Sequence, residues 1–187
     1  MKHNAYDFDK TIYKSDSTMD FYFFCMKKQP SILLGLPANL AYSFLYCLKI
    51  YSKTAFKEKF FRFLRHLDSV DDLVEEFWDL HQDMIAPFYL SGHKPDDIII
   101  SASPEFLLQP ICNRLNIRYL ICSRVNKLTG QFDGENCWGK EKLRRLKSEM
   151  PDVIINEFYS DSLSDAPMAM IAETAYLVKK EKITPFS

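Results

Sequence analysis

The chain has 187 residues, 47% of them hydrophobic, enough to bury one good core with room for an inserted subdomain. Its 24 basic residues balance 25 acids to a net charge of −1, which offers no electrostatic case for nucleic acid as a partner. Cys25, Cys47, Cys112, Cys122 and Cys137 lack CxxC spacing and the four histidines are scattered, so reduced thiols in a cytoplasmic protein are expected and a zinc centre is not.

The start, MKHNAYDFDK, has no apolar stretch of signal-peptide length. Residues 4–8 read as a short strand ending in two acids, Asp7 and Asp9. From 15 to 94 the pattern turns helical: Phe56, Phe60, Phe63, Leu64 and Leu67 recur at helical spacing, then Val70, Leu73, Val74, Phe77 and Trp78. Such a block of about 80 residues between two strands is too long for a crossover and reads as a cap over the strand ends. Inside it, QPSILLGLPANLAYSFLYCL (29–48) carries no charge, with lysines at 27, 28, 49, 53 and 57 around it. Pro30, Gly35, Pro37 and Asn39 interrupt the run, so a cap helix is the plain expectation. Peripheral contact of 29–48 with an anionic membrane is the sharper one.

Asp97-Ile98-Ile99-Ile100-Ser101 is apolar on both faces, as a covered parallel strand reads. Ser103-Pro104-Glu105 reads as a helix start with Ser103 as N-cap, followed by Phe106, Leu107, Ile111 and Leu115 on one face. A third strand covers 118–122, and LTGQFDG carries the turn residues of a small hairpin. Gly139 opens a helix with Leu143, Leu146 and Met150 on one side; a fourth strand lies in 153–159, a helix in 165–173 and a fifth strand in 175–178. Trp78 and Trp138 read as packing residues, with Trp138 near enough to line a site. His3, His66, His81 and His93 have no partner at catalytic spacing. Strand–helix alternation predicts an α/β fold: a Rossmann-like open parallel sheet from 1–14 and 95–187, with an α-helical cap from 15–94.

In such a sheet, ligands bind beyond the carboxyl ends of the strands. Asp7 and Asp9 end the first, Ser101 the second, and Ser160-Asp161 the fourth, with Asp165 just after. Taken singly, each has a bland role in a turn or a helix cap. Together they gather four carboxylates and a hydroxyl at one edge. Four carboxylates repel unless a cation joins them; Mg²⁺ suits such oxygens, and in turn favours a phosphate. Asp7 would then attack phosphorus while Asp9 serves as general acid and base.

The stretches AYDFDKTI, IIISASPE, GKEKL and YSDSLSDAPM, in this order, resemble the motifs of the haloacid-dehalogenase-like superfamily, and its phosphoserine-phosphatase-like branch in particular. The resemblance spans the whole chain, with the cap between the first and second motifs. It implies a Mg²⁺-dependent phosphomonoester hydrolase that forms an aspartyl-phosphate. Asp7 corresponds to the nucleophile, and Asp9 to the acid/base whose backbone carbonyl also touches the metal. Thr11 corresponds to the brace of the loop. Ser101 and the Ala102 N–H correspond to the donors to phosphate oxygens. Asp161 matches a direct metal ligand, and Asp165 the carboxylate that supports metal and lysine; Asp7, Asp9 and Asp161 are thus the implied metal set. The phosphate-site lysine lies in GKEK, where the spacing Gly, two residues, Lys favours Lys142, and Lys140 stays open on the Leu143 stripe. Ser160 stands where many relatives have Gly. A register with Asp9 phosphorylated, as in cation-pumping ATPases, leaves Asp7 unexplained. The implied substrate is a small phosphorylated metabolite, phosphoserine-like. Bacterial phosphatidylglycerophosphate phosphatases of the superfamily look similar around the uncharged segment, so a lipid phosphate at the membrane surface is the alternative. A phospho-aspartate signalling module is the remaining reading, although such modules lack a large cap and a second acid.

Overall fold

A computed structural model describes residues 2–180 and 182–186, with residues 36 and 38–40 by their backbone alone. Strands β1 (Lys2–Tyr6), β2 (Ile98–Pro104), β3 (Tyr119–Ser123), β4 (Ile154–Ser160), β5 (Ala172–Lys179) and β6 (Lys182–Pro185) form one sheet in the order β3-β2-β1-β4-β5-β6. All neighbours are parallel except β5 and β6, which form an antiparallel edge. The isoleucine run of β2 is buried because both faces are covered. Ile99 joins Tyr6, Phe8 and Leu107 on one side, while Ile98 and Ile100 join Ala5, Leu146 and Phe158 on the other. The chain builds outward from β1 in one direction, then returns to build in the other. β1 therefore ends at the topological switch point, where an open sheet leaves a crevice.

Helices α1 (Ser17–Lys28), α2 (Leu36–Cys47), α3 (Lys53–Phe60), α4 (Val70–His81) and α5 (Pro87–Leu90) fill the stretch between β1 and β2. Asp16, Ser52 and Ser69 each cap a helix by accepting a hydrogen bond from a first-turn N–H, of Met19, Ala55 and Asp72 respectively. The apolar periodicity of 55–67 is divided between α3 and a 3₁₀ turn at Phe61–His66. α1 and α4 lie against the sheet beside α6 (Glu105–Arg114) and share its core: Phe21, Phe77 and Trp78 pack with Leu107 and Leu108. The Trp78 indole donates to the Leu107 carbonyl at 2.6 Å, and the Phe8 and Tyr13 rings meet its ring at 5.9 and 5.5 Å. The two ends of the helical stretch are pinned together. The Lys14 amide donates to Met84 O at 3.0 Å and the Ala86 amide to Ile12 O at 2.7 Å, around a bridge between Tyr13 and Ile85. By contrast α2 packs on α3 and the 3₁₀ turn Pro30–Gly35 and leaves Phe44 64% exposed. No helix among the described residues is long and apolar enough to cross a membrane.

Three local expectations are corrected. β1 stops at Tyr6, so Asp7 lies just past the strand rather than inside it. The helix expected over 165–173 shrinks to a 3₁₀ turn, Leu163–Asp165, and α8 (Ala166–Ala169), because pairing of Ala172 with Ile155 and Thr174 with Glu157 draws the rest into β5. Ser103 does not cap α6. β2 runs on through Pro104, α6 starts without a side-chain cap, and the Ser103 hydroxyl turns to Asp9. The LTGQFDG segment does fold back on itself, with Val125 bridging Phe132.

Trp78 has no exposed surface, so Trp78→Ala is expected to cost about 3–5 kcal/mol in urea unfolding. A loss near zero would show that helices α1 and α4 do not share the sheet's core.

Candidate active site

The backbone of Asp7 is set by the end of the β1–β4 ladder, where its N–H donates to the Tyr159 carbonyl at 2.8 Å. The chain then folds over itself, with the Phe8 carbonyl accepting from the amides of Ile12 and Tyr13 at 3.0 and 2.9 Å. Phe8, Ile12 and Tyr13 are fully buried and anchor this loop. Lys10 takes φ 57°, a left-handed conformation that costs a side-chain-bearing residue energy and here reverses the chain between the two acids and α1.

One Asp7 oxygen, Oδ1, accepts from the Phe8 N–H at 2.8 Å and from Lys142 Nζ at 2.8 Å. The same ammonium meets Asp165 Oδ2 at 2.7 Å, and the Ser160 hydroxyl donates to that oxygen at 2.8 Å. Lys142 is 1% exposed and projects from α7 (Lys140–Glu149) on a stripe with Arg145 and Leu146. Lys140 lies two residues earlier, about 200° around the helix. It is exposed and contacts none of these acids, so the structure brings Lys142 and not Lys140 to the strand ends.

Asp9 is held from both sides. Ser103 Oγ donates to its Oδ2 at 2.5 Å and the Ser17 N–H to its Oδ1 at 2.8 Å, with Thr18 Oγ1 2.9 Å from Ser103 Oγ. Ser101 is buried and its hydroxyl accepts from the Ser103 N–H at 3.1 Å. The Ala102 carbonyl accepts from Lys57 Nζ at 2.8 Å and from the Ser123 hydroxyl at 3.0 Å. Asp161, half-buried, makes no hydrogen bond through its carboxylate among the described residues; Lys179 reaches only its backbone oxygen. A cavity of about 510 Å³ brings Asp7, Asp9, Ser101, Ala102, Lys142, Asp161 and Asp165 together, and Trp138 lines it as well. Thr11 lies outside this lining, buried in the loop with no partner for its hydroxyl among the described residues.

Burial pushes the Asp7 carboxyl up to about 7 against the pull of the Lys142 ammonium, and raises Asp9 despite its Ser103 and Ser17 donors. Burial alone would discharge Lys142, but Asp7 and Asp165 outweigh it and keep its pKa above the ordinary lysine range. Asp161 is likewise raised by burial, with the Lys179 charge opposing. A buried carboxyl that keeps its proton can donate it, and a carboxylate beside a fixed ammonium can approach an anion.

The donor set fits a small hard cation. Asp165 Oδ1 is buried without a partner, the second oxygen of Asp7 makes no hydrogen bond, and the Asp161 carboxylate is free of donors among the described residues. Among the described residues no three His, Cys, Asp or Glu side chains converge into an all-protein cage. Mg²⁺ characteristically takes one or two carboxylates and retains waters.

Sequence reasoning missed Ser17 and Thr18, and gave Ser103 the wrong partner. It read Lys53 and Lys57 of α3 only as lysines flanking the uncharged segment, and they line the cavity as well. Lys142→Met leaves two carboxylates buried beside each other. It is expected to cost about 3–5 kcal/mol in urea unfolding at pH 8. Because the folded state binds the Asp7 proton more tightly than the unfolded chain, the deficit should shrink at pH 5. A deficit independent of pH would contradict the pairing.

The sequence profile of the haloacid dehalogenase-like hydrolases matches residues 5–170. Protein CicA of Caulobacter vibrioides is 35% identical over 82 residues, 41% of this chain and 37% of that protein, so the match spans well under half of the curated relative. Among solved structures, a Bordetella pertussis protein of unknown function superposes with a TM-score of 0.76 at 19% identity, over 93% of this chain and 88% of that one. A probable phosphoserine phosphatase from Vibrio cholerae gives 0.65 at 15% identity, over 93% and 55%. A phosphoserine phosphohydrolase-like protein from Francisella tularensis gives 0.57 at 18%, over 94% and 86%. At these identities the structures share a fold with this chain. The profile match runs from β1 through the turn after β4 and takes in every acid around Lys142, and the chain belongs to the haloacid dehalogenase-like hydrolase family.

Proposed function

We propose that the chain is a Mg²⁺-dependent phosphomonoester hydrolase that works through an aspartyl-phosphate on Asp7, with a small phosphorylated metabolite as substrate. The observation that carries this reading is the buried Lys142 ammonium held between Asp7 and Asp165 at the sheet's switch point. In the first step the free Asp7 oxygen attacks phosphorus, the ester P–O bond breaks, and Asp9 gives its proton to the departing alkoxide. In the second step Asp9 takes a proton from water, which attacks phosphorus and returns Asp7 with inorganic phosphate. Ser101, the Ala102 N–H and Lys142 are the donors for the phosphoryl oxygens. Asp7, Asp161 and the Asp9 carbonyl would hold Mg²⁺, with Asp165 in support. The cation supplies charge neutralisation that keeps Asp7 ionised against its burial and lets it meet an anion. Asp9 gives the phosphoenzyme a built-in route to water, which weighs against a long-lived signalling switch. The α2–α3 arm, in this reading, is the part of the cap that faces the substrate.

A lipid phosphate is the second reading, and its support is exposure. Leu34 is 86%, Phe44 64% and Ile50 63% exposed on the block that also lines the cavity through Ser43, Lys53 and Phe56. This face would touch an anionic membrane peripherally.

Against a panel of phosphomonoesters, hydrolysis is expected with Mg²⁺, loss with a chelator and recovery on adding Mg²⁺ back. Asp7→Asn should lower turnover by at least about 10³-fold; an Asp7→Asn chain with full phosphatase activity would sink the assignment. Asp9→Asn should cost about 10²–10⁴-fold on an alkyl ester and less on a nitrophenyl ester, whose leaving group needs no proton. Equal losses on both esters would remove the general-acid role. Co-sedimentation with anionic vesicles tests the lipid reading, and no binding removes its support.

A further inference from the structure

The cavity that holds the catalytic acids is also lined by two cations of α3. Lys53 and Lys57 sit four residues apart on α3, so both face the same way. Neither makes an ion pair within 4.0 Å among the described residues. Lys57 Nζ donates to the Ala102 carbonyl at 2.8 Å, beside the proposed phosphate donors. Lys53 Nζ stands 3.7 Å over the centre of the Trp138 ring. Two like charges one helical turn apart repel, and burial lowers the Lys57 pKa to about 8 despite the field of Asp9. The acids act on this pair only at a distance, and an anion that reached both lysines would relieve their repulsion directly.

The rest of that wall is apolar. Phe56 and Phe60 line it from the same helix, and Met19 and Phe23 from α1. Asp16, the carboxylate of the lining that lies outside the catalytic cluster, accepts from the Met19 amide as the cap of α1. The wall around Lys53 and Lys57 therefore offers cations and hydrocarbon.

We infer that Lys53 and Lys57 form a second anion subsite, and that the substrate is a phosphomonoester whose leaving group carries a further negative charge beside an apolar body. This rests on the phosphatase reading for the first anion, and names the leaving group that the reading leaves open. Phosphate would be bound by Ser101 and Lys142, and the second anion by Lys53 and Lys57 of α3. A substrate with both ties the helix to the sheet.

Calorimetric titration of the full chain with Mg²⁺ tests this without turnover, using 3-phosphonopropionate and its singly anionic counterpart propylphosphonate. The wild-type chain should bind the former at least about tenfold tighter. In the Lys53→Gln/Lys57→Gln double variant the preference should fall below about threefold. No preference in the wild type overturns the inference, as does a preference that survives in a double variant with unchanged melting temperature. Should the double variant not fold, the wild-type comparison decides alone. Adding a chain, as 2-dodecyl-3-phosphonopropionate in detergent micelles, separates two sources of the same chemistry. A further gain in affinity assigns the apolar wall to a lipid, and equal affinity assigns a soluble ester. Both outcomes keep the subsite. Failure of the wild type to hydrolyse any ester would end the phosphatase reading and leave the binding preference standing; an active enzyme without the preference would end the subsite only.

Discussion

A single ammonium, Lys142 Nζ, sits in the interior between two carboxylates, and the geometry of the site depends on it. Bringing Asp7 and Asp165 from two different strands to one point is unfavourable in a low-dielectric interior, since each loses hydration and each repels the other. Lys142 makes the approach tolerable. The remaining supports are hydrogen bonds with fixed direction: the Phe8 amide on Asp7 and the Ser160 hydroxyl on Asp165. Three elements, β1, α7 and the turn after β4, are thereby tied at one atom. What the site lacks is equally defined, because among the described residues oxygens on Asp7, Asp161 and Asp165 remain without donors. Among the described residues Lys142 is the ammonium paired with Asp7 and Asp165, and the negative charge it leaves uncovered is the electrostatic basis of the proposed cation site.

The helical stretch between β1 and β2 has two physical characters. α1 and α4 belong to the sheet's own core through Phe21, Phe77 and Trp78, where aromatic rings meet edge to face and add specificity to the burial. The segment from Pro30 to His66 is different: its helices pack mainly on each other and expose Leu34, Phe44 and Ile50. The high aromatic content concentrated in the first half of the chain is thus consumed in fastening the insertion, with Tyr22, Phe60 and Phe63 at the junction between the two parts.

Much of the framework was legible in the sequence because it rests on local rules. Isoleucine runs bounded by turn residues mark covered strands, and acids placed right after such runs must lie at one sheet edge. Reading failed where a distant partner overrides a local preference. Ser103-Pro104-Glu105 has the chemistry of a helix start, yet Ser103 donates to Asp9, 94 residues away in the chain. Ala172 and Glu173 look helical in isolation and are taken into β5, which pairs with β4. The choice between Lys140 and Lys142 turned on which stripe of α7 faces inward. Arg145, whose guanidinium binds the Cys122 and Glu135 carbonyls at 2.7 and 2.6 Å, sets that stripe through contacts that no periodicity shows. Lys53 and Lys57 stood out in the sequence only as lysines beside an uncharged segment; their place in the cavity depends on what they face.

The clamp formed by Tyr13 and Ile85, with amides from Lys14 and Ala86 crossing between the strands, has a mechanical consequence. Both feet of the insertion are stitched into the loop that carries Asp7 and Asp9, so the insertion cannot swing away as a rigid lid without tearing that loop. The outer part, from Pro30 to His66, is tied down as well: the Phe132 N–H donates to Glu58 Oε1 at 3.0 Å, the Asn136 N–H to Thr54 Oγ1 at 3.1 Å and Arg65 Nε to the Thr129 carbonyl at 3.0 Å. Lys53 and Lys57 ride on this part, so the proposed anion subsite is fixed to the same frame as the loop of Asp7 and Asp9.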